Sequence, residues 1–150
     1  MNRSLRNALA VVAGFVAANL VIMVVTMSSG YVVAPPAGAD MNSAEGLRAA
    51  MPRMTPLHFL MPFLAHALGA LTGGLVAARA AASHRMNMAL VLGGIFFVIG
   101  VVMVKLVGGP LWFIALDLVV AYVPMAWLGG KLGLAISGGA RPAPAPALSH

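Results

Sequence analysis

The sequence predicts an all-α, multi-pass membrane protein whose four transmembrane helices pack in a compact bundle. Hydrophobic residues make up 61% of the 150-residue chain and charged residues only 8%, against about 45–50% and about 25% in soluble domains. The mean hydropathy is +0.98, and the apolar residues fall into four blocks of near-spanning length. So few charges cannot cover a water-exposed surface, which excludes both a soluble globular fold and intrinsic disorder.

The four blocks define a transmembrane domain over residues 1–136. Each block must be helical, because an open strand in lipid would leave its backbone groups unpaired. The predicted spans are 8–27, 57–78, 86–107 and 111–136. An outer loop of about 28–56 is rich in Pro, Gly and Met, and the third connection is a tight Gly108-Gly109-Pro110 turn. Residues 137–150 form a Pro/Ala-rich tail, which we expect to be extended and cytoplasmic.

The distribution of Lys and Arg predicts that both termini are cytoplasmic. With the amino terminus inside, the cytoplasmic side would carry Arg3, Arg6, Arg79, Arg85, Lys131 and Arg141. The outer side would carry Arg48, Arg53 and Lys105. This excess on the inner side follows the positive-inside rule. The cations are scattered between apolar blocks, so we interpret them as topology signals and expect no nucleic-acid partner.

A cleaved signal peptide is the alternative interpretation of the first block. Arg3 and Arg6 precede an apolar run, and Ala37-Gly38-Ala39 resembles a small-residue cleavage site. The apolar run is longer than a signal peptide needs, and the small-residue pattern lies about ten residues beyond it. A mature product that began at Asp40 would lack the first span.

Three polar residues stand out within the predicted spans: Asn19, His66 and Asp117. At ~1.5 Å per residue they lie about 12, 13 and 10 Å below the outer ends of their helices. Polar residues in transmembrane helices are costly and usually face the protein interior. We therefore expect an intramembrane polar site at a common depth, able to relay protons or to bind a cation or a small polar solute.

Helix-packing residues accompany these polar groups. Gly69 and Gly73 form a small-xxx-small pair on the face of His66, which lets helices approach closely. On the fourth span, Pro124 is expected to kink the helix just below Asp117. Helical spacing places five residues of that span on one stripe: Phe113, Asp117, Ala121, Pro124 and Leu128.

Two structural alternatives compete with a functional role for this polar site. In one, His66 and Asp117 form a satisfied interhelical pair that only fixes the register of two helices. In the other, Asp117 pairs with Lys105, because the tight turn makes their helices neighbours and the lysine stem is long.

Metal and enzyme chemistry find little support in the sequence. The absence of cysteine excludes disulfides and thiolate ligands. Five methionines lie in or near the outer loop with His58, and thioether and imidazole ligands suit Cu(I), but methionine is also ordinary apolar filler. The motifs H-E-x-x-H, G-x-S-x-G and the Walker loop do not occur. We predict no metal, no cofactor and no catalytic residue.

The sequence resembles a group of small, uncharacterised bacterial four-helix membrane proteins. The resemblance extends from the first helix to Gly133. The residues that carry it are His66-Ala67-Leu68-Gly69, Trp112-Phe113, Asp117-Leu118, Ala121-Tyr122 and Pro124-Met125-Ala126-Trp127-Leu128-Gly129. It implies a multi-pass location in the bacterial inner membrane. It implies no activity, substrate or catalytic residue.

Three functions follow as expectations. The first is a non-enzymatic structural or accessory membrane protein, which contacts lipid and acts with a second copy or a membrane partner protein. The second is a small oligomeric transporter or channel for a proton-coupled or cationic solute, which uses His66 and Asp117. The third is a membrane enzyme. The two halves of the chain share no residue pattern, which weakens the case for a transporter built from duplicated units.

Overall fold

The computed structural model describes residues 2–138, of which 84% are helical and none is in a strand. The α-helices are α1 (Arg3–Val32), α2 (Ala44–Ala50), α3 (Leu60–Ala80), α4 (Arg85–Val107), α5 (Leu111–Leu116) and α6 (Val123–Gly138). Short 3₁₀ turns cover Met51–Arg53 and Pro56–Phe59, and a π-helical turn, Asp117–Ala121, joins α5 to α6.

Four helical stretches are long and apolar enough to cross a membrane, as the sequence predicts. They are Arg3–Val32, Pro56–Ala80, Arg85–Val107 and Leu111–Ser137. The described part of the chain is thus all-α, and the chain has the composition of a multi-pass membrane protein. The fourth span continues as helix to Gly138, two residues into the predicted tail, and residues 139–150 of that tail lie outside the described residues.

Helix α1 is longer than the predicted span 8–27 at both ends. It begins at Arg3 because the side chain of Asn2 accepts a hydrogen bond from the backbone N–H of Ser4 and caps the first turn. Near its other end, the hydroxyls of Ser28 and Ser29 donate to the carbonyls of Val24 and Thr26 at 2.8 and 2.6 Å. These bonds satisfy the serine hydroxyls within the helix, so the polar residues Ser28 and Ser29 do not end α1.

Helix α3 is the central helix of the fold. It packs against α1, α4 and α6, and 44% of the most apolar stretch of its span is buried, compared with 17% for α1. Its buried residues are all small: Ala65, Ala67, Gly69, Ala70, Gly73, Gly74, Ala77 and Ala78. Small residues at helix seams are expected in lipid, where close van der Waals packing replaces the hydrophobic effect between helices.

Glycines bring the backbone of α3 against both neighbouring helices. On the α1 side, a Cβ atom added to Gly73 would lie 2.9 Å from the carbonyl oxygen of Gly14, and one added to Gly69 would lie 2.6 Å from Ile22. On the α6 side, a Cβ atom added to Gly129 would overlap the carbonyl of Leu71. The structure therefore places both predicted packing glycines, Gly69 and Gly73, in the α1–α3 seam.

Side chains of α1 hold the α3–α4 connection. The Oδ1 atom of Asn7 accepts hydrogen bonds from the backbone N–H groups of Ala82 and Ser83 at 2.9 and 3.2 Å. The Nε atom of Arg6 donates to the carbonyl of Ala80 at 3.1 Å. The start of α1 and the α3–α4 connection thus lie at one end of the spans, here called the N-terminal end.

The opposite end, here called the loop end, carries the segment between α1 and α3. Two of its basic side chains hold the segment together. A guanidinium nitrogen of Arg53 donates to the carbonyl of Ala37 at 3.0 Å. The Nδ1 atom of His58 accepts from the backbone N–H of Thr55 at 3.0 Å, and its Nε2 atom lies 3.1 Å from the carbonyl of Ala34. The sequence-predicted loop is therefore folded against itself by specific side-chain bonds.

The start of α2 is fixed by Asp40. Its carboxylate accepts hydrogen bonds from the Ser43 hydroxyl and from the backbone N–H of Asn42, and these bonds hold the pKa of the carboxyl group below its ordinary value. Ser43 in turn accepts from the backbone N–H of Gly46 and caps α2. The carboxylate is therefore ionised, and this cap intact, at neutral pH.

We expect Gly129→Ala to lower the thermal stability of the detergent-solubilised protein strongly. The added methyl group would overlap the Leu71 carbonyl, and overpacking of this kind costs about 1–3 kcal/mol or more. Gly94→Ala is the matched control, because Gly94 is also helical but has no neighbouring atom within 4 Å of the place that an added Cβ would take. Equal melting temperatures for the two variants would contradict the close α3–α6 contact.

Candidate functional site

The candidate site is a cluster of three polar side chains between α3 and the fourth span, here called the polar cluster. The Nδ1 atom of His66 lies 2.9 and 3.0 Å from the two carboxylate oxygens of Asp117. The hydroxyl of Tyr122 donates to Oδ2 of Asp117 at 2.8 Å and lies 3.1 Å from Nδ1 of His66. The structure thus brings together two predicted site residues and adds a third.

The π-helical turn explains why Tyr122 reaches Asp117. Residues five apart in a regular α-helix point roughly 140° away from each other, at ~100° per residue. The wider turn over Asp117–Ala121 accommodates one more residue and brings both side chains to the same face, where Asp117 is 5% exposed and Tyr122 is 4% exposed. Pro124 favours the irregularity, because it has no N–H to donate to the carbonyl of Val120. Single π turns of this kind recur at functional sites.

The ring of Tyr122 packs between α3 and α4. Its centroid lies 5.4 Å from that of the His66 ring. On α4, a Cβ atom added to Gly100 would lie 2.8 Å from the tyrosine ring. Gly100 therefore provides the space that the aromatic ring fills.

The predicted stripe on the fourth span does not continue past the π turn. Asp117 and Ala121 are buried, but Pro124 is exposed and Leu128 is 41% exposed. The extra residue in the turn rotates the rest of the helix, so a different set of residues faces inward. That set is Tyr122, Ala126, Gly129, Gly130 and Gly133. The stripe prediction assumed one uninterrupted helical period from Phe113 to Leu128.

Two other predicted site residues do not join the polar cluster. Asn19 is exposed, and its Nδ2 atom donates to the carbonyl of Phe15 in its own helix at 2.8 Å. Lys105 is exposed as well, and within residues 2–138 the salt bridge of Asp117 is made with His66. The depth estimate placed Asn19 at a matching height, but the inward face of α1 carries Ala10, Gly14 and Ala18 instead.

The polar cluster leaves one nitrogen atom available. His66 is 32% exposed at its side chain and Asp117 only 7%. Nδ1 of His66 is bonded within the polar cluster, whereas Nε2 has no hydrogen-bond partner within residues 2–138. A carboxylate that fixes Nδ1 orients an imidazole and leaves Nε2 to accept a proton or bind a ligand. Among the described residues, no buried polar side-chain atom lacks a partner.

The structure does not favour His58 as the imidazole ligand of a copper site in the loop. His58 has both ring nitrogens engaged, with Thr55 and with the Ala34 carbonyl. In the part of the chain that the structure describes, no group of three or more His, Cys, Asp or Glu side chains could hold a metal ion.

No protein-family model, curated protein or solved structure matches this chain. The resemblance to bacterial four-helix membrane proteins therefore stays a prediction, and the interpretation of the polar cluster depends on its own geometry.

Tyr122→Phe tests the third member of the polar cluster. The variant keeps the ring against Gly100 but removes the hydroxyl donor to Asp117. We expect a loss of stability of about 0.5–1.5 kcal/mol, the net contribution of a typical intramolecular hydrogen bond, measured by denaturation in mixed detergent. Tyr31→Phe is the control, because Tyr31 is 93% exposed. Equal stability of the two variants would show that the Tyr122 hydroxyl contributes nothing.

Proposed function

We propose that this chain is a non-enzymatic structural or accessory protein of the bacterial inner membrane, with its four spans in a compact bundle and both termini in the cytoplasm. In this proposal, the polar cluster locks α3 against the fourth span in a single register. The observation that carries it is the mutual bonding of His66, Asp117 and Tyr122, in which both carboxylate oxygens find donors.

Such a lock acts mainly by making other arrangements of the helices unfavourable. An interhelical hydrogen bond in a membrane contributes on average only ~0.6 kcal/mol. Leaving a buried carboxylate without its partner costs several kcal/mol. A shift of α3 along the fourth span would separate His66 from Asp117 and incur that larger cost. The polar cluster therefore favours one arrangement of the helices more than it adds to overall stability.

Cavity geometry also favours a structural role over catalysis. Two cavities in the described residues, of about 410 and 290 Å³, lie near the ends of the spans. One is lined by residues of the loop end and the other by Leu75, Val76, Arg79 and Ala80. Neither is lined by a member of the polar cluster, so neither would hold a substrate against His66.

Proton or cation transfer by a small oligomeric transporter is the second candidate function. The partly exposed imidazole of His66, with Nε2 unbonded within residues 2–138, is the observation that favours it. An imidazole paired with a carboxylate can pick up a proton at Nε2 and release it again without losing its orientation. A membrane enzyme remains the third possibility from the sequence, and no further observation favours it.

A double-mutant cycle on His66 and Asp117 separates these functions. For a structural lock we expect His66→Ala and Asp117→Asn each to lower thermal stability, and the double variant to lose no more than the worse single variant. We also expect no proton flux in liposomes that contain the wild-type protein and an internal pH-sensitive dye.

The opposite pattern would establish the transporter instead. In that pattern the single variants keep wild-type stability, while proton flux is present in the wild type and lost in Asp117→Asn. Lys105→Gln is the matched control, because it removes a charge from a span without touching the polar cluster.

The proposed orientation can be tested by cysteine labelling, since the natural chain has no cysteine. Asn42→Cys lies in the segment at the loop end and Ser4→Cys lies at the N-terminal end, and both positions are exposed. In intact spheroplasts we expect a membrane-impermeant maleimide to label the first variant and not the second. Labelling of the second variant only, before lysis, would reverse the proposed topology.

A further inference from the structure

A groove lies at the loop end, between the segment that precedes α3 and the turn between α4 and α5. Its volume is about 410 Å³, within the roughly 300–1,000 Å³ of small-molecule sites. We call it the loop-end groove. Its walls combine aromatic and aliphatic side chains, two methionines, prolines and a single charged residue, Arg48.

The floor of the loop-end groove is aromatic. Phe59 meets Trp112 edge-on at 5.6 Å between ring centroids and packs against Phe113 at 4.8 Å. Val107, the last residue of α4, and Trp112, near the start of α5, place this floor where two spans end. Tryptophan and other aromatic rings at helix ends mark the boundary between hydrocarbon and water. The loop-end groove therefore extends from the apolar layer to the solvent.

The charge at the rim is positive and unpaired. Within residues 2–138, the guanidinium of Arg48 makes no hydrogen bond and no salt bridge, and no carboxylate lines the loop-end groove. The other basic side chains of this segment are bonded within it, Arg53 to the Ala37 carbonyl and His58 to Thr55 and the Ala34 carbonyl. Helix α2 packs against α4, and its last residue, Ala50, is fully buried. Arg48 is thus carried on an anchored helix above an apolar floor.

We propose that the loop-end groove binds an anionic phospholipid, with the phosphate at Arg48 and an acyl chain along Phe59, Trp112 and Val107. A guanidinium pairs with phosphate oxygens in a bidentate manner. The thioethers of Met51 and Met54 are flexible enough to follow an acyl chain. A neutral phospholipid also carries a phosphate, but its cationic headgroup offsets the attraction to Arg48, so a lipid with net negative charge is favoured. A free anion would not use the aromatic floor.

Quenching of tryptophan fluorescence by brominated lipid tests this proposal. The chain has two tryptophans, so Trp127→Phe leaves Trp112 in the loop-end groove as the only reporter. The protein is placed in phosphatidylcholine nanodiscs that contain a small fraction of brominated phosphatidylglycerol or, separately, of brominated phosphatidylcholine. We expect the anionic lipid to be enriched about fivefold over the neutral one at Trp112, the factor that corresponds to one basic residue at a membrane surface.

Two further variants identify the charge responsible. Arg48→Gln should reduce the enrichment to the level of the neutral lipid, and Arg48→Lys should keep part of it. Lys105→Gln removes one positive charge at the same end of the spans but does not line the loop-end groove, so it should keep the full enrichment.

Three results would overturn the proposal. One is equal quenching of the wild-type chain by both lipids. Another is an equal loss of enrichment in Arg48→Gln and Lys105→Gln, which would assign the effect to the general surface potential. The third is a lipid-free dimer in native mass spectrometry that Trp112→Ala converts to monomer, which would show a second copy in the loop-end groove. Failure of this proposal would leave the structural role of the polar cluster intact, because the experiment reads a separate site.

Discussion

The buried carboxylate of Asp117 is the constraint on which the centre of this fold depends. Lipid offers no hydrogen-bond donor, so a carboxylate inside a span must find its partners within the protein. His66 on α3 supplies one donor and Tyr122 on the same span supplies the other. Tyr122 reaches Asp117 only through the π turn, and its ring fits only because Gly100 leaves room on α4. The Asp117 carboxylate thus accounts for His66 on α3, the π turn in the fourth span and the small residue Gly100 on α4.

Close contact between helix backbones fixes the register in which α3 pairs with the fourth span. Hydrophobic side chains cannot hold helices together in a solvent that is itself apolar, so the spans are joined where their backbones approach. Gly74 and Gly129 lie where α3 meets the fourth span, against the carbonyls of Ala126 and Leu71. Gly74 lies two turns along α3 from His66, so the glycine seam and the polar cluster reinforce the same register.

The sequence predicts the helices well because composition and length decide them. It places His66 and Asp117 at one depth and so favours a contact between them, with an Asp117–Lys105 pair as the alternative. The depth of a residue in the membrane does not by itself decide which residues it contacts. The direction in which a side chain points depends on the rotation of its helix, which is why Asn19, at a matching depth, faces outward. Tyr122 could have been found from two signals: a hydroxyl in mid-membrane that needs a partner, and a proline two residues later. Whether a π turn forms at this point depends on how the Tyr122 ring packs against Gly100 on α4, and this contact is not visible in one sequence.

The two ends of the spans differ in what their polar side chains contact. At the N-terminal end, Asn7 and Arg6 bond to the backbone of the α3–α4 connection and close it. The half nearer the loop end holds both the polar cluster, six residues into α3, and the unpaired guanidinium of Arg48. In the described residues, Arg48 at the loop end lines a groove with aromatic walls, whereas Arg6 at the N-terminal end is bonded to the backbone of the α3–α4 connection. The proposed lipid site therefore lies in the half of the molecule that also holds the polar cluster, while the hydrogen-bonded connection at the opposite end ties α1 to α3 and α4.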